Sequence, residues 1–214
     1  MVEQVLVVER KTIDNIGAFQ GFTHEVDRYF TIFENAFFMD RSKAEKDPSH
    51  KQIIPYVIFE YNGKYLSYIR GKEGGEARLV GGRSIGIGGH INPVDASPSP
   101  FIHNDIYDTA YEATFYRKAY SEAVEREVNE EVSVKSAYTD KIIALINDDS
   151  NEVGSVHLGI VHLRKLQLPE IVSNESMISD LTFMSRAELI KNRNTLETWS
   201  SLCVDVLGLE NLWK

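Results

Sequence analysis

From Thr109 to Val132 the sequence repeats apolar residues at helical spacing, which predicts one long helix and makes it the element around which the rest must pack. Val124, Val128 and Val132 recur every four residues and give that helix an apolar stripe. Close to its end, Arg126-Glu127-Val128-Asn129-Glu130-Glu131 sets three carboxylates at i, i+3 and i+4. At about 100° per residue they share an arc of roughly a quarter turn, about a quarter turn from the apolar stripe. One edge of the helix therefore packs while the next can face a cleft. Like charges so spaced weaken a helix by roughly a few tenths of a kcal/mol per pair unless a cation lies between them. A hard divalent ion such as Mg²⁺ removes that conflict. Taken alone, the hexapeptide also fits a solvated acidic face with Glu122–Arg126 and Arg126–Glu130 as ordinary i, i+4 pairs.

The chain has 214 residues, enough for one medium domain or one domain with an extension. Hydrophobic residues at 43% and charged residues at 26% match globular usage, which argues against wholesale disorder. A net charge of -9 argues against a nucleic-acid-binding surface, which needs a basic patch to neutralise phosphates. It still allows an anionic small molecule, provided metal ions and a few arginines supply local positive charge. The first residues carry only the short apolar run Val5 to Val8 between Glu3 and Glu9, and no run of eighteen apolar residues occurs anywhere. Neither a signal peptide nor a membrane span is expected. The single cysteine, Cys203, excludes an intramolecular disulfide, suits a cytoplasmic setting, and reads as a buried structural thiol.

Gln4 to Val8 is expected as a strand, and the aromatics Tyr29, Phe30, Phe33, Phe37 and Phe38 have near-helical spacing suited to packing. A polar stretch, Arg41 to Lys51, places the boundary between a packed amino-terminal extension (1–50) and a core domain (51–214). Ile53 to Tyr61 and Lys64 to Arg70 read as strands joined at Asn62-Gly63, a strong hairpin signal. Glycines then crowd together, ending at Gly86, Gly88 and Gly89, and prolines at 93, 98 and 100 keep a continuous helix from starting before about Phe101. Strands at Lys141 to Ile146 and Ser155 to Leu166, then helices at Ser185 to Asn192 and Thr195 to Leu207, indicate an α/β fold with a mixed sheet. His103, His157 and His162 show no metal-ligand spacing with cysteine, which argues against a zinc site.

Joined to the long helix, the glycine pair resembles the Nudix box, G-x5-E-x7-R-E-U-x-E-E-x-G-U with U aliphatic. Gly89 stands at the opening glycine, Asp95 at the first glutamate, and Arg126, Glu127, Val128, Glu130, Glu131 and Val134 fill the remainder. Thirty residues separate Asp95 from Arg126 where the pattern has seven, so the box is interrupted by an insertion at about 96–118, and Ser133 replaces the last glycine. Leu66 to Arg70 ahead of the Gly88-Gly89 pair resembles the strand ending in Arg that family members present. The resemblance covers roughly residues 53 to 166. The insertion and the extension are similar to those of a bacterial group of predicted Nudix phosphoesterases.

That resemblance implies an α/β/α sandwich and a divalent-metal-dependent hydrolase that cleaves a pyrophosphate bond in a nucleoside diphosphate linked to another group, or a similar diphosphate. Glu127, Glu130 and Glu131, with the Gly88 carbonyl, would hold Mg²⁺ or Mn²⁺. Arg126 would orient the glutamates, with Asp95 as its acidic partner. Arg70, Arg78, Arg83 and His90 are candidates for holding substrate phosphates, and a general base is sought at Glu127, Asp148, Asp149 or Glu152. Many relatives dimerise, and nothing in this chain decides that point. Two other readings stand beside the hydrolase. One is a catalytically silent Nudix domain that binds a nucleotide as a sensor or partner module. The other is a Nudix-scaffold isomerase of isoprenoid diphosphates, which would need a core cysteine, and Cys203 is far from the box.

Overall fold

The strand-rich middle and the long helix expected from the sequence are both present in the computed structural model, which describes residues 2–71, 81–96, 109–174 and 178–208. The elements are β1 (Gln4–Glu9), α1 (Arg10–Gly17), β2 (Gly21–Thr23), α2 (Val26–Tyr29), β3 (Ala36–Asp40), α3 (Arg41–Ala44), β4 (His50–Tyr61), β5 (Lys64–Arg70), β6 (Arg83–Ser84) and β7 (Gly86–Ile87). They continue with α4 (Thr109–Glu131), β8 (Val132–Val134), β9 (Tyr138–Asn147), α5 (Glu152–Ser155), β10 (His157–Leu166), β11 (Ile171–Ser173), β12 (Ile178–Ser185), α6 (Arg186–Lys191) and α7 (Thr198–Val206). Short 3-10 turns occupy Phe30–Asn35, Pro93–Asp95 and Arg193–Thr195. The architecture is α/β with a mixed sheet, as the element order predicts.

Two compact units divide the chain. The first holds Met1–Pro55, Gly89–Glu125 and Leu145–Ile160. In it β1 pairs antiparallel with β3 and, through Val7, Val8 and Glu9, with β4, while β2 pairs with the end of β9. Residues of the expected extension thus share a unit with the start of β4. Val5 to Val8, Ile13, Tyr29, Ile32 and Phe33 are buried there. The stretch whose aromatics have near-helical spacing divides into α2, a 3-10 turn and β3. Tyr29 and Phe33 pack inward, whereas Phe37 and Phe38 sit in the strand paired with β1. Phe38 meets Tyr116 of α4 at a ring-centroid separation of 5.8 Å.

The second unit holds Tyr56–Gly88, Arg126–Ala144 and Val161–Lys214. Here β5 pairs with β12 on one side and with β4 through Glu60–Tyr65 and Tyr61–Lys64. Asn62 and Gly63 make the turn with φ of 48° and 73°, the left-handed pair a tight hairpin requires. The register between β12 and β5 shifts between Ser179 and Thr182, next to Asp180 at a φ of 51°. β7 lies along β4, and Gly86 allows Tyr56 to pack directly over the backbone. Tyr56 is buried, and its hydroxyl lies 2.8 Å from Ser200 Oγ, which also accepts from the Ile85 amide at 3.0 Å. Removing that oxygen takes the side-chain partner of the buried Ile85 amide and leaves the Tyr56 hydroxyl only its longer 3.5 Å contact with Ser84 Oγ. Ser200→Ala is expected to cost about 2 kcal/mol in urea unfolding. Cys203 lies on the same helix, fully buried, and burial pushes its thiol pKa well up, as suits a structural residue.

Candidate active site

The helix α4 ends as the sequence predicts, and Val124, Val128 and Val132 are all buried. Its last carbonyls find partners without the glycine of the family pattern. The Asn174 amide donates to Glu131 O at 2.9 Å, the Asn174 side chain donates to Asn129 O at 2.7 Å, and Ser133 Oγ donates to Asn174 Oδ1 at 2.6 Å. Asn174 thus satisfies carbonyls that a helix end otherwise leaves orphaned, and Ser133 holds it in place.

On the exposed side of this helix Arg126 lies between two of the three carboxylates. Its guanidinium is 2.7 Å from Glu127 and 3.3 Å from Glu130. The Glu127 side chain is 15% exposed and that of Glu130 54%, so one carboxylate is recessed and the other reaches into solvent. Glu131 is partly buried and contributes to the negative field on Arg70 and Tyr68. Arg70, the last residue of β5, donates from Nε to Glu197 at 2.6 Å and lies over the Tyr68 ring. Glu197 has 6% of its side chain exposed, and burial pushes its pKa up against the pull of Arg70. Sequence reasoning missed Glu197, which carries no motif and lies far from β5 in the chain. Gly88 follows β7 directly.

Asp95, Asp148, Asp149 and Glu152 lie in the first unit, and Arg83 in the second. Asp95 is buried in its 3-10 turn, where it accepts from the Asn92 amide at 2.7 Å in a capping box. Asp149 accepts from both Arg10 terminal nitrogens at 2.8 Å and from Lys51 Nζ at 2.6 Å. The Arg10 hydrogen bonds hold its carboxyl well below the usual carboxylate range, which weakens it as a proton acceptor. Lys51 is fully buried and also donates to Gly154 O at 2.7 Å; burial pulls its pKa down. A carboxylate depressed in the folded state stabilises above its unfolded pKa and loses that contribution as pH falls. The stability gap between wild type and Asp149→Asn is therefore expected to be widest at neutral pH and to close below about pH 4, read by thermal melts across pH. Asp148 accepts from Gln20, Ser150 and Asn151 and organises the loop. Glu152 is exposed in the first turn of α5. Arg83 pairs with Asp180 and donates to Ser67 at 2.9 Å, while Arg78 lies outside the described residues, as does most of the insertion.

His90 sits 3.9 Å from Glu45, and its ring centroid is 5.7 Å from that of His157. This grouping has no counterpart in sequence spacing. His162 is engaged separately, with Nδ1 at 2.9 Å from Asp140, which also takes Arg164 Nε at 3.1 Å.

The crystal structure of Tm1382, provisionally assigned as a Nudix hydrolase, matches 98% of this chain and 100% of its own at a TM-score of 0.75 and 29% identity. DR0079 from Deinococcus radiodurans, at a TM-score of 0.51 and 13% identity over 78% of this chain and 89% of that one, shares the fold. With the ordered glycine pair and the Arg-Glu-x-x-Glu-Glu helix, these place the chain in the Nudix hydrolase superfamily, as a hydrolase of the Nudix type. Among individual proteins it is 33% identical over 220 residues to Protein YmaB of Bacillus subtilis (strain 168), covering 97% of this chain and 98% of that protein. No family model matches the sequence. Among the described residues no helix is long and apolar enough to cross a membrane.

Proposed function

We propose that this protein hydrolyses a pyrophosphate bond in a nucleoside diphosphate linked to another group, or in a similar diphosphate, with Mg²⁺ or Mn²⁺ as cofactor. The observation that carries this reading is the end of α4, where Arg126 lies against Glu127 and Glu130 and Glu131 follows on the same arc. The donor set fits a hard divalent cation, because three carboxylates and the Gly88 carbonyl offer oxygen alone. Bound there, the ion supplies charge neutralisation for the pyrophosphate and lowers the pKa of water. Arg126 restricts the rotamers of two glutamates, so their oxygens are aimed before substrate arrives. Asp95 is proposed as the further acidic partner of Arg126 across the insertion. Arg70 and Arg78 are proposed to hold the substrate phosphates, Arg70 from a guanidinium already oriented by Glu197. His90, the other phosphate candidate from the sequence, lies instead beside Glu45 and His157. With Asp149 tied to Arg10 and Lys51, Glu152 and Glu127 are the proposed proton acceptors.

The test is a panel of nucleotide sugars, dinucleoside polyphosphates, ADP-ribose, coenzyme A and nucleoside triphosphates, assayed by product chromatography with Mg²⁺ or Mn²⁺. At least one is expected to turn over only with metal. Absence of metal-dependent turnover on all of them overturns the proposal, and saturable nucleotide binding without turnover would establish the sensor reading instead.

A further inference from the structure

We infer that Glu45, His90 and His157 form a second metal site, built for a transition-metal ion of the Zn²⁺ class and distinct from the carboxylates of α4. One ligand atom from each of the three lies within 4.8 Å of the other two. All three residues belong to the first unit. They come from distant points of the chain: Glu45 caps the carboxyl end of α3, His90 follows the glycine pair, and His157 opens β10. Separate backbone elements therefore bring them together.

The protonation pattern suits metal binding. His157 Nδ1 lies 2.7 Å from Val153 O, and a carbonyl can only accept, so Nδ1 carries the proton and Nε2 presents its lone pair. A ring N–H given to a backbone carbonyl is the usual way in which a metal-ligating histidine is held. The Glu45 carboxylate is steadied in turn by Arg41 Nε at 3.4 Å, and the same guanidinium is anchored on Glu3 at 3.0 Å. Glu45 and His90 keep 20% and 16% of their side chains exposed, so an ion has a path in. Metal–ligand bonds of about 2.1 Å put tetrahedral ligand atoms roughly 3.4 Å apart, which small side-chain rotations achieve from the 3.9 Å between His90 and Glu45. Two imidazoles with one carboxylate favour Zn²⁺ over Mg²⁺, and three protein ligands leave a fourth position for water. Nothing in this inference depends on the hydrolase reading.

The experiment uses untagged, chelator-treated full-length protein in equilibrium dialysis against Zn²⁺ with excess Mg²⁺, followed by metal analysis. A visible Co²⁺ spectrum supplies a second readout. Wild type is expected to bind one equivalent with a ligand-field spectrum typical of nitrogen and oxygen donors. His90→Gln is expected to weaken binding at least about 100-fold, and Glu45→Gln at least about 10-fold, since even outer-shell changes cost about 10–100-fold. Glu130→Gln should leave Zn²⁺ affinity unchanged. Far-UV circular dichroism checks each fold, and Glu45, on a partly exposed turn, keeps the test informative if His90→Gln is unstable. Failure of the wild type to bind an equivalent, undiminished affinity in Glu45→Gln, or a loss that follows Glu130→Gln instead would each overturn the inference.

Discussion

Glu130→Gln is expected to lower metal-dependent turnover by about 10²–10³-fold while leaving the melting temperature nearly unchanged. The contrast between the two effects is what makes the variant decisive. The Glu130 side chain is more than half exposed, and its contact with Arg126 is an i, i+4 pair at 3.3 Å. Such pairs are worth about 0.3–0.5 kcal/mol, so their loss is a small perturbation of the fold. Glutamine keeps the shape and one oxygen but removes the charge, and a hard cation held by carboxylates feels that loss directly. Glu127→Gln should behave alike in turnover, because Glu127 shares the same arginine at 2.7 Å. The readouts are kcat/KM for the best substrate of the panel at saturating Mg²⁺, and a thermal melt of the same preparation. Less than a tenfold loss in turnover would mean that these carboxylates do not hold the catalytic ion.

That half of the candidate site was legible because it is local. Four residues of one helix carry its charge, and their spacing alone fixes the face they share. The same holds for elements with strong local signals. The Asn62-Gly63 turn, β5 at Lys64–Arg70 and α6 with its Ser185–Glu188 capping box all form where turn and cap chemistry place them. What was not legible depends on partners distant in the chain. β12 reads poorly because its residues are mostly half-exposed and its register breaks near Asp180; its pairing with β5 makes it a strand. β3 was hidden by aromatics whose spacing imitates a helix until β1 provides a pairing edge. Glu197, Asn174, and the meeting of Glu45 with His90 and His157 belong to the same class, since each acts on a residue brought close only by the fold.

Gly154→Ala is expected to be the most destabilising small substitution in the first unit, costing about 3 kcal/mol or more. A Cβ at position 154 would lie 1.9 Å from Asp148 O and 2.9 Å from the carbon of the same carbonyl. Those are backbone atoms, so no side-chain rotation relieves the overlap, and the turn itself must move. It is closely held: Asn151 Oδ1 accepts from the Gly154 amide at 2.8 Å, Asn151 Nδ2 donates to Asp148 at 2.8 Å, and Lys51 Nζ donates to Gly154 O at 2.7 Å. Displacing the Gly154 carbonyl would take a partner from a buried ammonium, adding an electrostatic cost to the steric one. Overpacking by itself costs about 1–3 kcal/mol, and the lost ammonium contact carries the total to the upper end or beyond. For a chain of this length that corresponds to a fall in melting temperature of about 6–12 °C. Gly21→Ala is the matched control, for a Cβ there meets nothing within 4 Å although φ is +81°. It should lose only the modest cost of a left-handed alanine, about 1–2 kcal/mol. Equal losses in the two variants would show that the Asp148–Gly154 turn yields freely, and that close approach of its backbone is not what the glycine provides.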